Sequence, residues 1–445
     1  MQAEMQLDAQ AVTQAEEPEA DTRPRWQVAK RIAFRYTFVY FLLYSFPFPL
    51  QHIPYLGGYI SRYYSLLWQS VVPWVGKHIL RVSYDIPIAM SGSGDKTYDW
   101  VQNFCFLTLA ALATIVWSLL DRKRISYQKL HQWFTLYMRF VLAGWMIVYG
   151  AMKAIPTQMP RPFLTRLIEP YGDFSLMGVL WSFMGASPAY TSITGTIELV
   201  GGILLIFPRT TILGAIVSFI AMVQVFILNM CYDVPVKLFS FNLVLMSVFL
   251  LAPHMGRMMK VLLLNRATEP APVHPFFERR WLNRSLLIAQ IAFGLYLVGM
   301  NMYGSYEGYN RYGTGAPKPP LYGIWMVEDY NINGEVKPPL LTDEARWQRV
   351  IIQNQSGLVI QPMRGANVFY RSQLDMENKT LSLGKATDQE WKADFTFEET
   401  EPGQMKLTGA MDGNRIEAKL VRFDETQYLL NSRGFHWIQE RPFNR

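Results

Sequence analysis

The chain has 445 residues, 50% of them hydrophobic, 14% aromatic and only 17% charged. Soluble domains carry about 25% charged residues, so the composition excludes an ordinary water-soluble protein and points to a membrane protein. The net charge of +7 lies in clusters beside apolar segments (RPRWQVAKR, DRKR, HMGRMMK), with no separate basic domain to suggest a nucleic-acid partner, and two cysteines exclude a disulfide framework or a cysteine-rich zinc site.

Residues 1–25 are polar and acidic (Glu16, Glu17, Glu19, Asp21) and read as a disordered cytoplasmic tail, neither signal peptide nor span. Apolar runs of about 20 residues then fall near 31–48, 101–120, 134–152, 191–207, 211–231, 236–253 and 284–302. Between the first two, YISRYYSLLWQSVVPWVGKHIL carries Arg62, Pro73, Lys77 and Arg81 and reads as a helix lying in the interface. Residues 26–130 therefore form two spans with an outer interfacial helix. Positive-inside bias puts Arg23, Arg25, Lys30 and Arg31 in the cytoplasm, so the N-terminus is inside. Seven crossings then place Arg122–Arg124, Arg209 and the linker with Arg257, Lys260, Arg266, Arg279 and Arg280 inside as well. Residues 257–303 are this cytoplasmic linker and the seventh span, and the C-terminal region is extracytoplasmic.

From Tyr303 the composition changes. GYNRYGTGAPKPP gives a Gly/Pro linker over 304–320, and beyond it the pattern turns to period two. NVFYRSQLD, TLSLGK, WKADFTFEE, QMKLTGAMDGNRIEAKLVRF and QYLLN read as strands, with turns at Glu401-Pro402-Gly403 and Asp412-Gly413. Eight or so strands in 321–445 make an antiparallel barrel or sandwich that folds on its own. In the terminal SRGFHWIQERPFNR, Phe435 and Trp437 are expected to alternate inward as core of a last strand. The fold class is thus an α-helical integral membrane bundle of about seven spans, followed by an all-β antiparallel domain.

Chemistry-bearing residues concentrate at one edge of this bundle. Glu198 lies in the middle of TSITGTIELVGGILLIFPRT, where a carboxylate costs several kcal/mol unless it is paired, protonated or facing water. Gly195 and Gly202 share its helical face, so that face is expected to pack closely against a neighbouring helix. Lys153, with Tyr149 and Gly150 one turn before it, ends the third span on the outer side, and Asn229, Asp233 and Lys237 surround the outer turn between the fifth and sixth. An outward-opening polar pocket follows, with Glu198 and Lys153 as candidate catalytic groups and Tyr149, Asn229, Asp233, Lys237 and Arg139 as candidate substrate contacts. The bland alternatives are a tight turn held by Asp233 with Lys237, a bundle held by a hydrogen bond of Glu198, and Arg35 and Arg139 reaching to the inner interface. Cys105 and Cys231 both fall at the outer edge, where extracytoplasmic thiols can form a redox pair, but they lack CxxC spacing and read instead as two unpaired apolar-core cysteines. The six histidines match no metal-ligand spacing, and there is no phosphate loop, GxSxG or dinucleotide motif.

Arg139, Gly150 and Lys153 in RFVLAGWMIVYGAMK, then Gly195, Glu198, Gly201 and Gly202 in GTIELVGGILLIF, resemble the DoxX-like family of bacterial membrane proteins. The likeness covers 134–253, a four-helix core within 131–256. The additional spans, the long 156–190 loop and the β domain depart from simple members. The resemblance implies a cytoplasmic-membrane subunit of a quinone-linked oxidoreductase, with Glu198 and Lys153 at the family positions, quinone as the redox group, and a protein partner or second copy beside membrane lipid. Two readings of another class stand beside it: a non-enzymatic anchor whose β domain binds a ligand or partner outside, and a small-solute or lipid transporter. A lysine-base enzyme acting through Lys153 belongs with the latter.

Overall fold

The computed structural model describes residues 26–88, 91–269 and 275–444; the segment read as a tail, and His274, lie outside the described residues. Its helices are α1 (Val28–Ser45), α2 (Leu56–His78), α3 (Thr97–Leu120), α4 (Gln128–Ala154), α5 (Leu164–Leu167), α6 (Leu176–Ala186), α7 (Pro188–Ile206), α8 (Thr211–Cys231), α9 (Lys237–Leu251), α10 (Met255–Leu262) and α11 (Arg280–Arg311). Six stretches among the described residues are long and apolar enough to cross a membrane: α3, α4, α7, α8, the run Lys237–Leu262 and α11. The chain is a multi-pass membrane protein. It divides into two compact units: one holds the chain up to Ile147 with Val200–Leu297, the other Val148–Leu199 with the chain from Val298 on.

α1 is formed but is not among these six, because it concentrates Lys30, Arg31 and Arg35 in its first half. Its packing nevertheless follows α3 from end to end. Arg35 donates to the Tyr127 hydroxyl (2.7 and 3.0 Å), to Ser118 Oγ (2.6 Å) and to the Asp121 carbonyl (3.2 Å), while Tyr40 reaches Asn103 near the opposite end of α3. The two helices are therefore antiparallel partners. Arg35 is buried, so it does not snorkel; it satisfies the C-terminal end of α3, where helix carbonyls lack intrahelical donors. α2, with Pro73 inside it, is not among the six; it buries Trp68, Val72 and Val75 and leaves Tyr59, Tyr63, Leu67 and Trp74 exposed.

In the second unit α11 continues beyond the 284–302 apolar run to Arg311, through Gly304 and Gly308 and with no proline before Pro317, so the linker begins later than the composition change. The strands are β1 (Gly323–Ile332), β2 (Glu335–Val336), β3 (Trp347–Asn354), β4 (Gly357–Pro362), β5 (Val368–Asp375), β6 (Thr380–Gly384), β7 (Lys392–Glu401), β8 (Gln404–Met411) and β9 (Asn414–Arg422). Each pairs antiparallel with its neighbour, β1 bonding β3 on one side and β9 on the other. Setting aside the two-residue β2, this is a closed eight-stranded barrel, so the sandwich alternative is settled in favour of closure. The tight turns fall where Asp412-Gly413 and Gly403 supply positive φ (50°, 79° and 81°). Alternation aims Ala393, Phe395 and Phe397 inward from β7, where they join Trp325, Trp347, Tyr370, Leu407 and Leu420 in a packed interior.

The segment QYLLN is not a strand. The barrel closes when β9 meets β1, which leaves no edge for another strand, and the chain instead forms a short turn of helix, α12 (Leu429–Ser432). Phe435 and Trp437 accordingly are not core: they are 82% and 88% exposed. Nor does the barrel stand alone. Leu164, with Leu167 and Ile168, packs on the outer face of β1, β3 and β4 against Ile324, Ile351 and Val359, and the Leu164 amide donates to Gln353 Oε1 at 2.8 Å. The loop between α4 and α7 is thus part of the barrel's wall.

Candidate functional site

Glu198 and Lys153 meet. Lys153 Nζ donates to both carboxylate oxygens of Glu198 at 2.8 Å, and the residues are only 6% and 4% exposed. Two glycines make the approach possible. A Cβ on Gly195 would lie 2.5 Å from Lys153 Cβ, and one on Gly150 would lie 2.5 Å from the Leu199 backbone nitrogen. Only hydrogen fits at either point, so α4 and α7 touch backbone to backbone, one turn from each charged group. The short Glu198 side chain and the long lysine stem then converge in the seam. Gly202 faces the same helix, with a Cβ there meeting Ile147, whereas Gly201 faces α8 at Ser218. The Lys153 ammonium also sits 5.6 Å from the Tyr149 ring centroid, over a ring whose negative face attracts cations.

A buried pair of this kind is neutral as a whole, which lets it occupy a low-dielectric site; breaking it exposes the full desolvation penalty of one charge. It also sets a proton donor and a proton acceptor within one hydrogen bond. Lys153 has three N–H donors, of which Glu198 accepts two. Among the described residues, no cluster of three or more His, Cys, Asp or Glu could hold a metal ion.

The other candidate residues are engaged elsewhere. Arg139 is buried at the far end of α4, roughly four turns from Lys153. It donates to the carbonyls of Leu205 (3.1 Å) and Ile206 (2.8 Å), capping α7, with the Gln290 amide oxygen at 3.5 Å. Like Arg35 it is a helix cap and not an interfacial charge. Asn229 donates to Ser240 Oγ (3.0 Å) and ties the turn between α8 and α9. Asp233 is largely exposed and pairs with Lys237 at 2.8 Å, the arrangement expected of a tight turn. Asp95 completes that turn by accepting from the amides of Lys237 (2.7 Å) and Leu238 (2.9 Å), the orphan donors that open α9. None of Asn229, Asp233 and Lys237 hydrogen-bonds to Glu198 among the described residues. Cys105 is buried, Cys231 is exposed, and both are free thiols.

Two buried polar features were not foreseen. In the helical unit the Tyr40 hydroxyl lies 2.7 Å from Asn242 Oδ1 and 2.9 Å from the Asn103 amide. The single Tyr40 O–H is shared between these two amide oxygens, Oδ1 of Asn242 and Oδ1 of Asn103, while Asn242 spends its own N–H on the Leu238 carbonyl. In the barrel, Arg346 is 2% exposed and donates to the carbonyls of Lys337 (2.9 Å), Trp347 (3.0 Å), Val327 (3.3 Å) and Glu328 (2.9 Å). Nothing in single-sequence periodicity marks either: asparagines inside apolar runs and an arginine before a strand read as ordinary neighbours.

No family model matches the chain, and no solved structure matches it. It is similar to the uncharacterized protein YwoB of Bacillus subtilis (strain 168), with 32% identity over 113 residues that cover 25% of this chain and 71% of YwoB.

Proposed function

Given that the chain belongs to the same family as the uncharacterized YwoB, we propose that it is a cytoplasmic-membrane subunit of a quinone-linked oxidoreductase, resembling DoxX-like proteins, whose Lys153–Glu198 pair handles protons. The observation that carries this reading is the bidentate contact of Lys153 with Glu198 inside an apolar seam. Ionisable groups that deep in a membrane bundle are costly and by default functional. A quinone, when bound, supplies two-electron redox chemistry and takes up a proton with each electron. Lys153 would hold such a group by donating its third N–H to a carbonyl oxygen, and the Glu198 carboxylate beside it would accept or return a proton at one oxygen. Electrons come from a protein partner.

The competing reading makes the pair a lock between α4 and α7. The double variant Lys153→Met/Glu198→Leu separates the two, because replacing a buried pair by apolar groups of similar size is close to neutral for stability. Protein purified in mild detergent is extracted and its quinone measured by the ultraviolet difference between oxidised and reduced forms. Wild type should carry about one quinone per chain, and an equally stable double variant should lose at least tenfold. Wild type without quinone, or a double variant that keeps it, removes the reading.

The same proposal places the barrel outside. Arg122–Arg124, Arg209 and Arg266 flank the cytoplasmic ends of the spans, and α1, running antiparallel to α3, supplies the seventh crossing that leaves the N-terminus inside. Cys231, exposed at the end of α8, is then extracytoplasmic. A membrane-impermeant maleimide added to intact cells should label Cys231 and spare buried Cys105. Labelling of Cys231 that needs inverted vesicles reverses the orientation.

A further inference from the structure

The second unit carries a cationic cleft that the proton-handling reading does not use. Its volume is about 780 Å³, within the usual range of ligand sites, and it is walled by the residues before α5, the end of α11, the linker and the β3–β4 turn. Arg161, Arg311 and Lys318 line it against one acidic side chain, Glu425. Arg161 has no hydrogen-bond or ion-pair partner among the described residues. Lys318 lies 4.2 Å over the Tyr322 ring, a contact that leaves its N–H groups open. Arg311 alone is shared, with Glu307 at 3.3 Å.

The position of this cleft follows from the length of α11. Its 32 residues span about 48 Å, more than the roughly 30 Å hydrocarbon core and close to the full bilayer with headgroups. The apolar part ends before Tyr303, and Tyr303 and Tyr306 follow, largely exposed, as an aromatic band of the kind that marks the headgroup level. A second hollow of about 400 Å³ runs along that face, lined by Tyr303, Tyr306, Glu307 and Asn310, and shares Arg311 and Pro317 with the cleft. Cations with open donors thus sit just beyond a tyrosine-lined groove on a helix leaving the bilayer.

We propose that this cleft binds the phosphate of an anionic phospholipid, with Arg161 and Lys318 as its ligands and the tyrosine-lined hollow holding the start of the acyl region. Phosphate oxygens accept from guanidinium and ammonium groups, and the adjoining apolar groove distinguishes a lipid from a soluble phosphate ester. The inference is independent of the Lys153–Glu198 reading.

The test uses the delipidated full-length chain in mild detergent, offered equal amounts of phosphatidylglycerol and phosphatidylcholine, with retained lipid counted by native mass spectrometry. Wild type should prefer phosphatidylglycerol by on the order of tenfold, as expected for two basic contacts. Arg161→Gln/Lys318→Gln should bring the ratio near one, and the charge-keeping Arg161→Lys/Lys318→Arg should restore most of it. Millimolar glycerol 3-phosphate should leave the bound phosphatidylglycerol in place. Equal retention of both lipids by wild type, or an unchanged ratio in the glutamine variant, overturns the site. Displacement by glycerol 3-phosphate overturns the lipid assignment in favour of a soluble phosphate ester.

Discussion

Lys153→Met should destabilise the protein by about 3–5 kcal/mol, because it leaves the Glu198 carboxylate buried with no partner. The Nζ contacts at 2.8 Å are the only hydrogen bonds of that carboxylate among the described residues, and burial at 4% exposure denies it water. The closely packed seam offers no relief, since Gly150 and Gly195 already hold α4 and α7 at backbone contact. Glu198→Leu should cost as much by stranding the ammonium. The double variant should recover most of the loss, the mark of a coupled pair. Thermal melting in one detergent measures all three. Two single variants within about 1 kcal/mol of wild type would mean the pair is wet or unmade.

Arg346→Met should unfold the barrel or leave it readily cleaved, with a loss of several kcal/mol. The guanidinium serves carbonyls of Lys337, Trp347, Val327 and Glu328, and no water reaches them once methionine fills the space. Each stranded buried acceptor costs about 1–3 kcal/mol. Arg346→Lys should fall between the two, since a single ammonium cannot reach the carbonyls that a planar fork reaches together. Protease protection of residues 323–422 in the full chain reads the effect. Protection equal to wild type in the methionine variant would show that those carbonyls find other donors.

Strands were legible where one face is apolar and the turn residues are explicit. β5 to β9 follow from alternation and from the glycines at 403 and 413, which supply the positive φ of tight turns. The error at Phe435 and Trp437 has a simple cause: alternation is a local pattern, and whether another strand has an edge to join depends on closure between β1 and β9, far apart in the chain. The arginines failed in a similar way. Arg35 and Arg139 sit near the ends of apolar runs, as snorkelling residues do, yet each caps a helix brought near only by packing.

Length and composition by themselves determined that this chain crosses a membrane several times and ends in an antiparallel β domain, because hydrophobic runs and period-two alternation are consequences of the solvent each residue meets. They also singled out Glu198, since a carboxylate among aliphatic side chains and glycines is costly wherever the helix turns. Tertiary structure alone decided its partner. Lys153, Asn229 and Lys237 all lay at the same outer edge along the sequence, and the contact fell to Lys153 because Gly150 and Gly195 let α4 and α7 approach where a side chain would have held them apart. Packing likewise gave Asn229 to Ser240, whereas the pairing of Asp233 with Lys237 four residues on was already legible as a tight turn. The same holds for the cleft around Arg161 and Lys318: its cations come from segments distant in sequence, and charge converges there only after the loop before α5 lies against the barrel.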